Sequence, residues 1–241
     1  MSHSIFGMIH VTVLIFNTLQ KYLANHCDFV MKTNPSSLPF IKEWCIYLNP
    51  MRLSLNVSAP RFTLKDVFGR TIDLASYEGK RVLIAFFRHT GCPFCNMRVH
   101  TLQKYREEFF AKNLEMIFFF ESKEKTILNS SFHKGVSPIP IIADPEKVWY
   151  GIYGLEESAR KSLYSHLTSF IQTAVKAKLN NLPVHAMPDG ESINTIPAEF
   201  LLDEKLIIRE LKYATHLNDR FSVEEIRAFL DRKSFVGNTA T

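Results

Sequence analysis

Cysteine is scarce in this chain: four in 241 residues, at Cys27, Cys45, Cys92 and Cys95. That is too few for a scaffold built on disulfides. A structural zinc site typically needs two close pairs of ligands, and Cys27 and Cys45 stand 18 residues apart with no His-x3-5-His near either, so no metal is expected. Charge of one sign is missing as a block. The 29 basic residues are interspersed with 24 acidic ones for a net +5, and no run of five or six like charges offers to track a phosphate backbone, which argues against a nucleic-acid partner. Long apolar runs are missing too. Residues 5 to 16, IFGMIHVTVLIF, have signal-peptide length, but no Lys or Arg precedes them and no small-x-small cleavage site follows. The run is also too short for a membrane-spanning helix, so membrane association has no firm support. Internal repeats, low-complexity segments and a nucleotide-binding Gly-rich loop are likewise lacking.

What is present is apolar: 46% hydrophobic residues, 20 of them Phe, enough to bury a large core. The pattern becomes regular only after Met51, which opens MRLSLNVSAPRF. Residues 1–50 are therefore expected to lie outside the folded domain as an N-terminal extension, with Met51 a candidate translation start. Residues 51–236 form the domain and 237–241 a tail.

Within it, strand-like and helix-like stretches alternate. RFTLKDVFGRTIDLASYEGK (61–80) reads as short strands around Phe68-Gly69-Arg70, with a turn at Glu78-Gly79-Lys80. RVLIAFF (81–87) is a continuous apolar run, as expected of a strand covered on both faces. Val99, Leu102, Tyr105, Phe109 and Phe110 then recur at helical spacing, with Arg98, Lys104, Arg106 and Glu107 mostly off that stripe. MIFFF (116–120) is a second buried strand, giving a right-handed β-α-β crossover. Residues 137–155 read as a short strand, a helix start at Asp144-Pro145 and an aromatic-rich helix. A helical stripe over 156–179 and a loop over 180–192 make a helical insertion. AEFLLD and KLIIREL form a hairpin, and Ser222 with Glu225 reads as the capping box of a last helix.

One pair of cysteines stands out. In FRHTGCPFCNM (87–97), Cys92 and Cys95 sit where a buried strand ends and a helix begins. Backbone N–H groups left unpaired at a helix start, and the positive end of its dipole, stabilise a thiolate. Arg88 and His89 add positive charge, so Cys92 is expected to titrate below the free-thiol value of about 8.5. Cys95, one turn further in, is close enough for a disulfide and placed to be the more buried. Pro93 suits the first helical turn. The pair can also be read as inert core cysteines, but its context inside a β-α-β pattern points to redox chemistry. His100 and His133 read as surface or hydrogen-bonded residues, Trp149, Tyr150 and Tyr153 as core. Asp144, Glu156 and Glu157 show no carboxylate pairing.

GCPFC after RVLIAFF, with SAPRFTLKDVFGR before it, PIIADPEKVWYGIYGL after it and TIPAEFLLDEKLIIREL near the end, resembles the thioredoxin superfamily. The match is nearest the peroxiredoxin-like branch, the alkyl-hydroperoxide-reductase and thiol-specific-antioxidant group, over about residues 55 to 232. The resemblance implies an α/β, thioredoxin-like fold with a central mixed sheet flanked by helices. It also implies a cis proline beside the thiols, which Pro197 after Ile196 would supply. Two features depart from the family. A typical member has Pro-x-x-x-Thr/Ser-x-x-Cys and an Arg ahead of the late strand. Here Cys92 stands in the hydroxyl position, Arg88 in the Pro position, and Pro197-Ala198-Glu199 where the Arg belongs. Thr90 is an offset substitute for the hydroxyl. The acid that many thioredoxins bury six residues before their first Cys is replaced by Phe86.

The resemblance implies a thiol-disulfide oxidoreductase in which Cys92 attacks a disulfide or peroxide and Cys95 resolves the adduct. Arg88 and Thr90 would serve the thiolate, and Ile196 and Pro197 the substrate groove. No bound cofactor is required, only an external thiol reductant of thioredoxin-like or small-molecule type. A true thiol-dependent peroxidase and a non-catalytic redox-sensing or metal-binding module are the rival readings. The cytoplasm is the expected compartment.

Overall fold

The computed structural model describes residues 52–130, 135–155 and 194–233. The proposed N-terminal extension, the insertion over 156–192, His133, Glu156, Glu157, Cys27 and Cys45 lie outside them. Of the two units into which the chain divides, Met1–Arg52 and Leu53–Thr241, all the elements below belong to the second.

A five-stranded mixed sheet is built around the run RVLIAF. Its strands are β3 (Arg81–Phe86), β4 (Leu114–Phe120), β5 (Ile141–Ala143), β6 (Ala198–Leu202) and β7 (Ile208–Tyr213), in the order β5-β4-β3-β6-β7. β3 pairs parallel with β4 and β4 with β5, while β3–β6 and β6–β7 are antiparallel. Two further short strands, β1 (Thr63–Lys65) and β2 (Thr71–Asp73), form a separate antiparallel pair. They turn at Gly69, whose φ of +80° belongs to the region glycine adopts without steric cost. Among the described residues the α-helices are α1 (Pro93–Lys104), α2 (Arg106–Ala111), α3 (Glu124–Asn129), α4 (Val148–Ile152) and α5 (Val223–Leu230).

Every residue of β3 is buried, which is why its sequence is continuously apolar rather than alternating. The two-residue period of a strand divides these side chains between two layers. Leu83, Ala85 and Phe87 join Cys95, Val99 and Leu102 of α1, Phe109 of α2 and Phe229 of α5 in one apolar cluster. Val82, Ile84 and Phe86 face the other way, onto Phe62, Ile72, Leu74, Tyr150 and Tyr153.

Polar groups close the ends of the elements. Arg81, at the start of β3, donates from Nη1 to the carbonyls of Phe229 (2.7 Å) and Leu230 (2.8 Å). Its Nη2 reaches the carbonyl of Arg232 (2.8 Å) and its Nε the carboxylate of Glu204 (3.0 Å). One buried guanidinium thereby caps the C-terminal end of α5, where carbonyls lack intrahelical donors. At the other end of α5 the capping box is present: Ser222 Oγ accepts from the Glu225 N–H, and Glu225 accepts from the Ser222 N–H. Asp144 accepts from the N–H groups of Val148, Trp149 and Tyr150, which starts α4.

Three expectations are corrected. The helix after the cysteines is two helices, because Tyr105 (φ −100°, ψ 8°) leaves helical geometry and ends α1. Arg98 lies on the buried side of α1, where Glu199 neutralises it. The Ile196–Pro197 bond is trans, and the cis bond among the described residues is Ser137–Pro138. Pro197 is already in the ladder leading into β6, its carbonyl accepting from the Ala214 N–H at 3.0 Å, so the chain is extended there.

Candidate active site

β3 delivers the chain to the sheet's C-terminal end, and Phe87 continues the ladder by donating to the Phe119 carbonyl at 2.8 Å. The next five residues turn back over the sheet. Cys92 N–H closes the turn on the His89 carbonyl (3.1 Å), and the Thr90 N–H is held by Ser122 Oγ (3.0 Å). Asn96 Nδ2 donates to the Thr90 carbonyl at 2.8 Å. Cys92 is thus the N-cap of α1, Pro93 fills its first turn, and Cys95 lies one turn inside.

Both cysteines are free thiols and both are buried, at 1% and 0% exposure, so no difference in burial distinguishes them. Their electrostatics do. Arg88 Nη1 lies 3.6 Å from Cys92 Sγ, and the Arg88 backbone N–H donates to Cys95 Sγ at 3.3 Å. Burial opposes a charged Cys92. The Cys95 thiol, the Arg88 guanidinium and the N–H groups of Cys95 and Phe94 outweigh it, lowering the Cys92 pKa to about 6. Burial, reinforced by the Cys92 charge, pushes Cys95 well above the ordinary thiol range. The two titrate as a pair, with the first proton leaving Cys92.

A buried ion network flanks the dithiol. Arg98 makes a two-pronged pair with Glu199 (Nε–Oε1 2.7 Å, Nη2–Oε2 2.8 Å), and Glu199 Oε2 also accepts from the Phe221 N–H at 3.1 Å. Arg220 Nη1 lies 4.0 Å from Glu199 and 3.4 Å from the Phe86 carbonyl, and its guanidinium covers the Phe87 ring at 5.4 Å. Its Nε and Nη2 have no acceptor among the described residues. Burial lowers the Arg220 pKa, against the Glu199 charge, which raises it.

Of the residues expected at the site, Cys92, Cys95 and Arg88 converge. Ile196 joins both cysteines in one apolar cluster, and Pro197 follows it into β6. Thr90 is anchored there by its backbone N–H and carbonyl. Sequence reasoning missed Glu199, Arg220 and Glu121. Glu199 carried a signal, since a carboxylate inside the otherwise apolar stretch Ala198–Leu202 requires a buried partner. Arg220, 21 residues on in a polar loop, carried none.

Among the described residues no cluster of three or more His, Cys, Asp or Glu could hold a metal ion, and no helix is long and apolar enough to cross a membrane.

A mixed sheet with a dithiol at the strand-to-helix junction, flanked by helices, defines a thioredoxin-like protein. A family model described as the AhpC/TSA family matches residues 55–211, and the chain belongs to that family. Two Mycobacterium tuberculosis proteins, named "Putative peroxiredoxin MT2597" and "Putative peroxiredoxin Rv2521", are each 25% identical over 121 residues, covering 49% of this chain and 76% of theirs. Among solved structures, the reduced 2-Cys peroxiredoxin of Plasmodium vivax matches with a TM-score of 0.50 and 18% identity, over 74% of this chain and 81% of that one. That last likeness is one of fold. Family membership makes the chain an oxidoreductase of the thiol-dependent, peroxiredoxin-like class.

Proposed function

We propose that the chain is a thiol-disulfide oxidoreductase in which Cys92 is the attacking thiolate and Cys95 the resolving thiol. The observation that carries this reading is Arg88 Nη1 at 3.6 Å from Cys92 Sγ, with the Arg88 N–H on Cys95 Sγ. One residue thus addresses both sulfurs, and burial together with the Cys92 charge keeps the proton on Cys95.

With a disulfide substrate, the Cys92 thiolate forms a mixed disulfide and releases one substrate thiolate. Cys95, after losing its proton, attacks Cys92 Sγ, releases the second thiolate and leaves an internal disulfide. Loss of the Cys92 charge removes one cause that holds the Cys95 proton, and Arg220 and Arg88 then favour its thiolate. With a hydroperoxide, Cys92 takes the terminal oxygen as a sulfenic acid and an alcohol leaves. Cys95 then condenses with the sulfenic acid, giving the disulfide and water. In either case two equivalents of an external thiol restore the dithiol, and no bound cofactor enters. Ile196, packed with both cysteines, and Pro197 after it would line the substrate groove. Thr90 contributes through its anchored backbone, which fixes the turn. We place this chemistry in the cytoplasm, where thiols are kept reduced.

The peroxidase reading is kept because the family and the names of two relatives favour it. Turnover of wild type, Cys92→Ser and Cys95→Ser against a hydroperoxide and a model disulfide tests both. Disulfide turnover lost in Cys92→Ser supports the main reading, and turnover retained in that variant overturns it. Peroxide rates no better than those of a free thiol remove the peroxidase.

A further inference from the structure

A second buried acid stands at this end of the sheet, outside the chemistry just described. Glu121 follows β4 directly, two residues past the last register pair Phe86↔Phe119, as Arg88 is beyond β3, and the Arg88 charge acts on it. The Thr90 N–H bond to Ser122 Oγ ties the two segments together beyond the strands. The Glu121 side chain is 1% exposed. Its Oε2 accepts from Thr195 Oγ1 at 2.6 Å and lies 3.5 Å from Lys147 Nζ, while its Oε1 has no hydrogen-bond donor among the described residues. A half-satisfied buried carboxylate is costly to keep, and a purely structural acid would be expected to have both oxygens met.

We propose that Glu121 is a positioning residue for the dithiol: it shares the Arg88 guanidinium with Cys92 and exchanges a proton as the charge on Cys92 comes and goes. This rests on the reading of Cys92 as the reactive thiolate.

In the reduced protein Arg88 faces two anions, the Cys92 thiolate and Glu121. Oxidation to the disulfide removes the first, so the Arg88 charge acts on Glu121 without competition from Cys92 and the carboxylate is favoured. Reduction by an external dithiol transfers two electrons to the disulfide and restores the thiolate and the Cys95 thiol. That step takes up one proton at Cys95, and Glu121 binds part of a second as the thiolate reclaims Arg88. Burial already raises the Glu121 pKa, against Thr195, Lys147 and Arg88, which lower it. The Tyr150 hydroxyl, bound to the Phe87 carbonyl, lies within the electrostatic reach of Glu121, Asp144 and Cys95. These are the charged and titratable neighbours that shape the exchange.

The test is the pH dependence of thiolate absorbance in the reduced full-length protein, wild type against Glu121→Gln and Glu121→Asp. Gln keeps an acceptor for Thr195 and loses the charge, so the Cys92 midpoint should fall by about half a unit to one unit. Asp keeps the charge and should stay nearer wild type. Coincident midpoints for wild type and Glu121→Gln would overturn the proposal. If Glu121→Gln does not fold, an infrared difference spectrum of wild type, oxidised against reduced, decides instead. A change in a protonated-carboxyl band supports the exchange, and its absence overturns it. Neither readout needs turnover. An inactive enzyme with shifted midpoints would defeat the proposed function alone, and an active one with coincident midpoints would defeat the role of Glu121 alone.

Discussion

The two ends of β3 both bury arginine, and they treat it oppositely. At the N-terminal end Arg81 meets one carboxylate and three carbonyls, all at 3.0 Å or less. At the C-terminal end Arg88 lies 3.6 Å from a thiol, Arg220 leaves two nitrogens without acceptors among the described residues, and Glu121 leaves one oxygen without a donor. A buried charge with every partner in place holds a fold together. Buried groups with atoms left unmet among the described residues, as at Arg220 and Glu121, cost stability and suit a place where a neighbouring group changes charge. On this comparison the first end is structural and the second is the one we propose as reactive, although one strand carries both.

The comparison breaks most sharply on the sulfurs. Cys92→Ser should lower turnover about a thousandfold or more, as loss of an activated nucleophile does. Cys95→Ser should still form the first adduct and accumulate it, which mass spectrometry of the trapped protein would show. Next in size is Arg81→Met, which removes the buried ion pair with Glu204 and uncaps α5. A loss of about 3–5 kcal/mol in denaturant unfolding is expected, with the Cys92 titration unchanged. Arg88→Met should do the reverse: the Cys92 midpoint rises by about one unit in thiol alkylation rates, while stability moves far less than in Arg81→Met. Were Arg88→Met as destabilising as Arg81→Met with the thiol titration unmoved, the contrast between the two ends would be gone. The smallest effect is that of Ser222→Ala, which should cost about 1 kcal/mol through the lost cap and leave the Cys92 midpoint where it is.

The parts of this arrangement legible in the sequence are those fixed by local rules. The apolar run 81–87 announces a strand covered on both sides. Pro93 and the capping box at Ser222 mark helix starts, and the cysteine spacing marks a strand-to-helix junction. The parts that were not legible depend on contacts across long stretches of chain. Arg98 and Glu199 are 101 residues apart, and nothing near either one names the other. Arg98 in isolation looks like a solvated helix residue, and only the arrival of β6 beside β3 makes it a buried ion. Helix α3 was missed because six residues with little apolar periodicity cannot be told from a loop. The trans bond at Pro197 has no signature in the residues around it.

The central claim is that Cys92 is the thiolate of the pair, and it is tested most directly by alkylating the reduced protein across a pH series and locating the label by peptide mass. Cys92 should carry the label first, with a rate that rises through a midpoint of about 6 and then levels. First labelling at Cys95, or a midpoint at the free-thiol value of about 8.5, would contradict it.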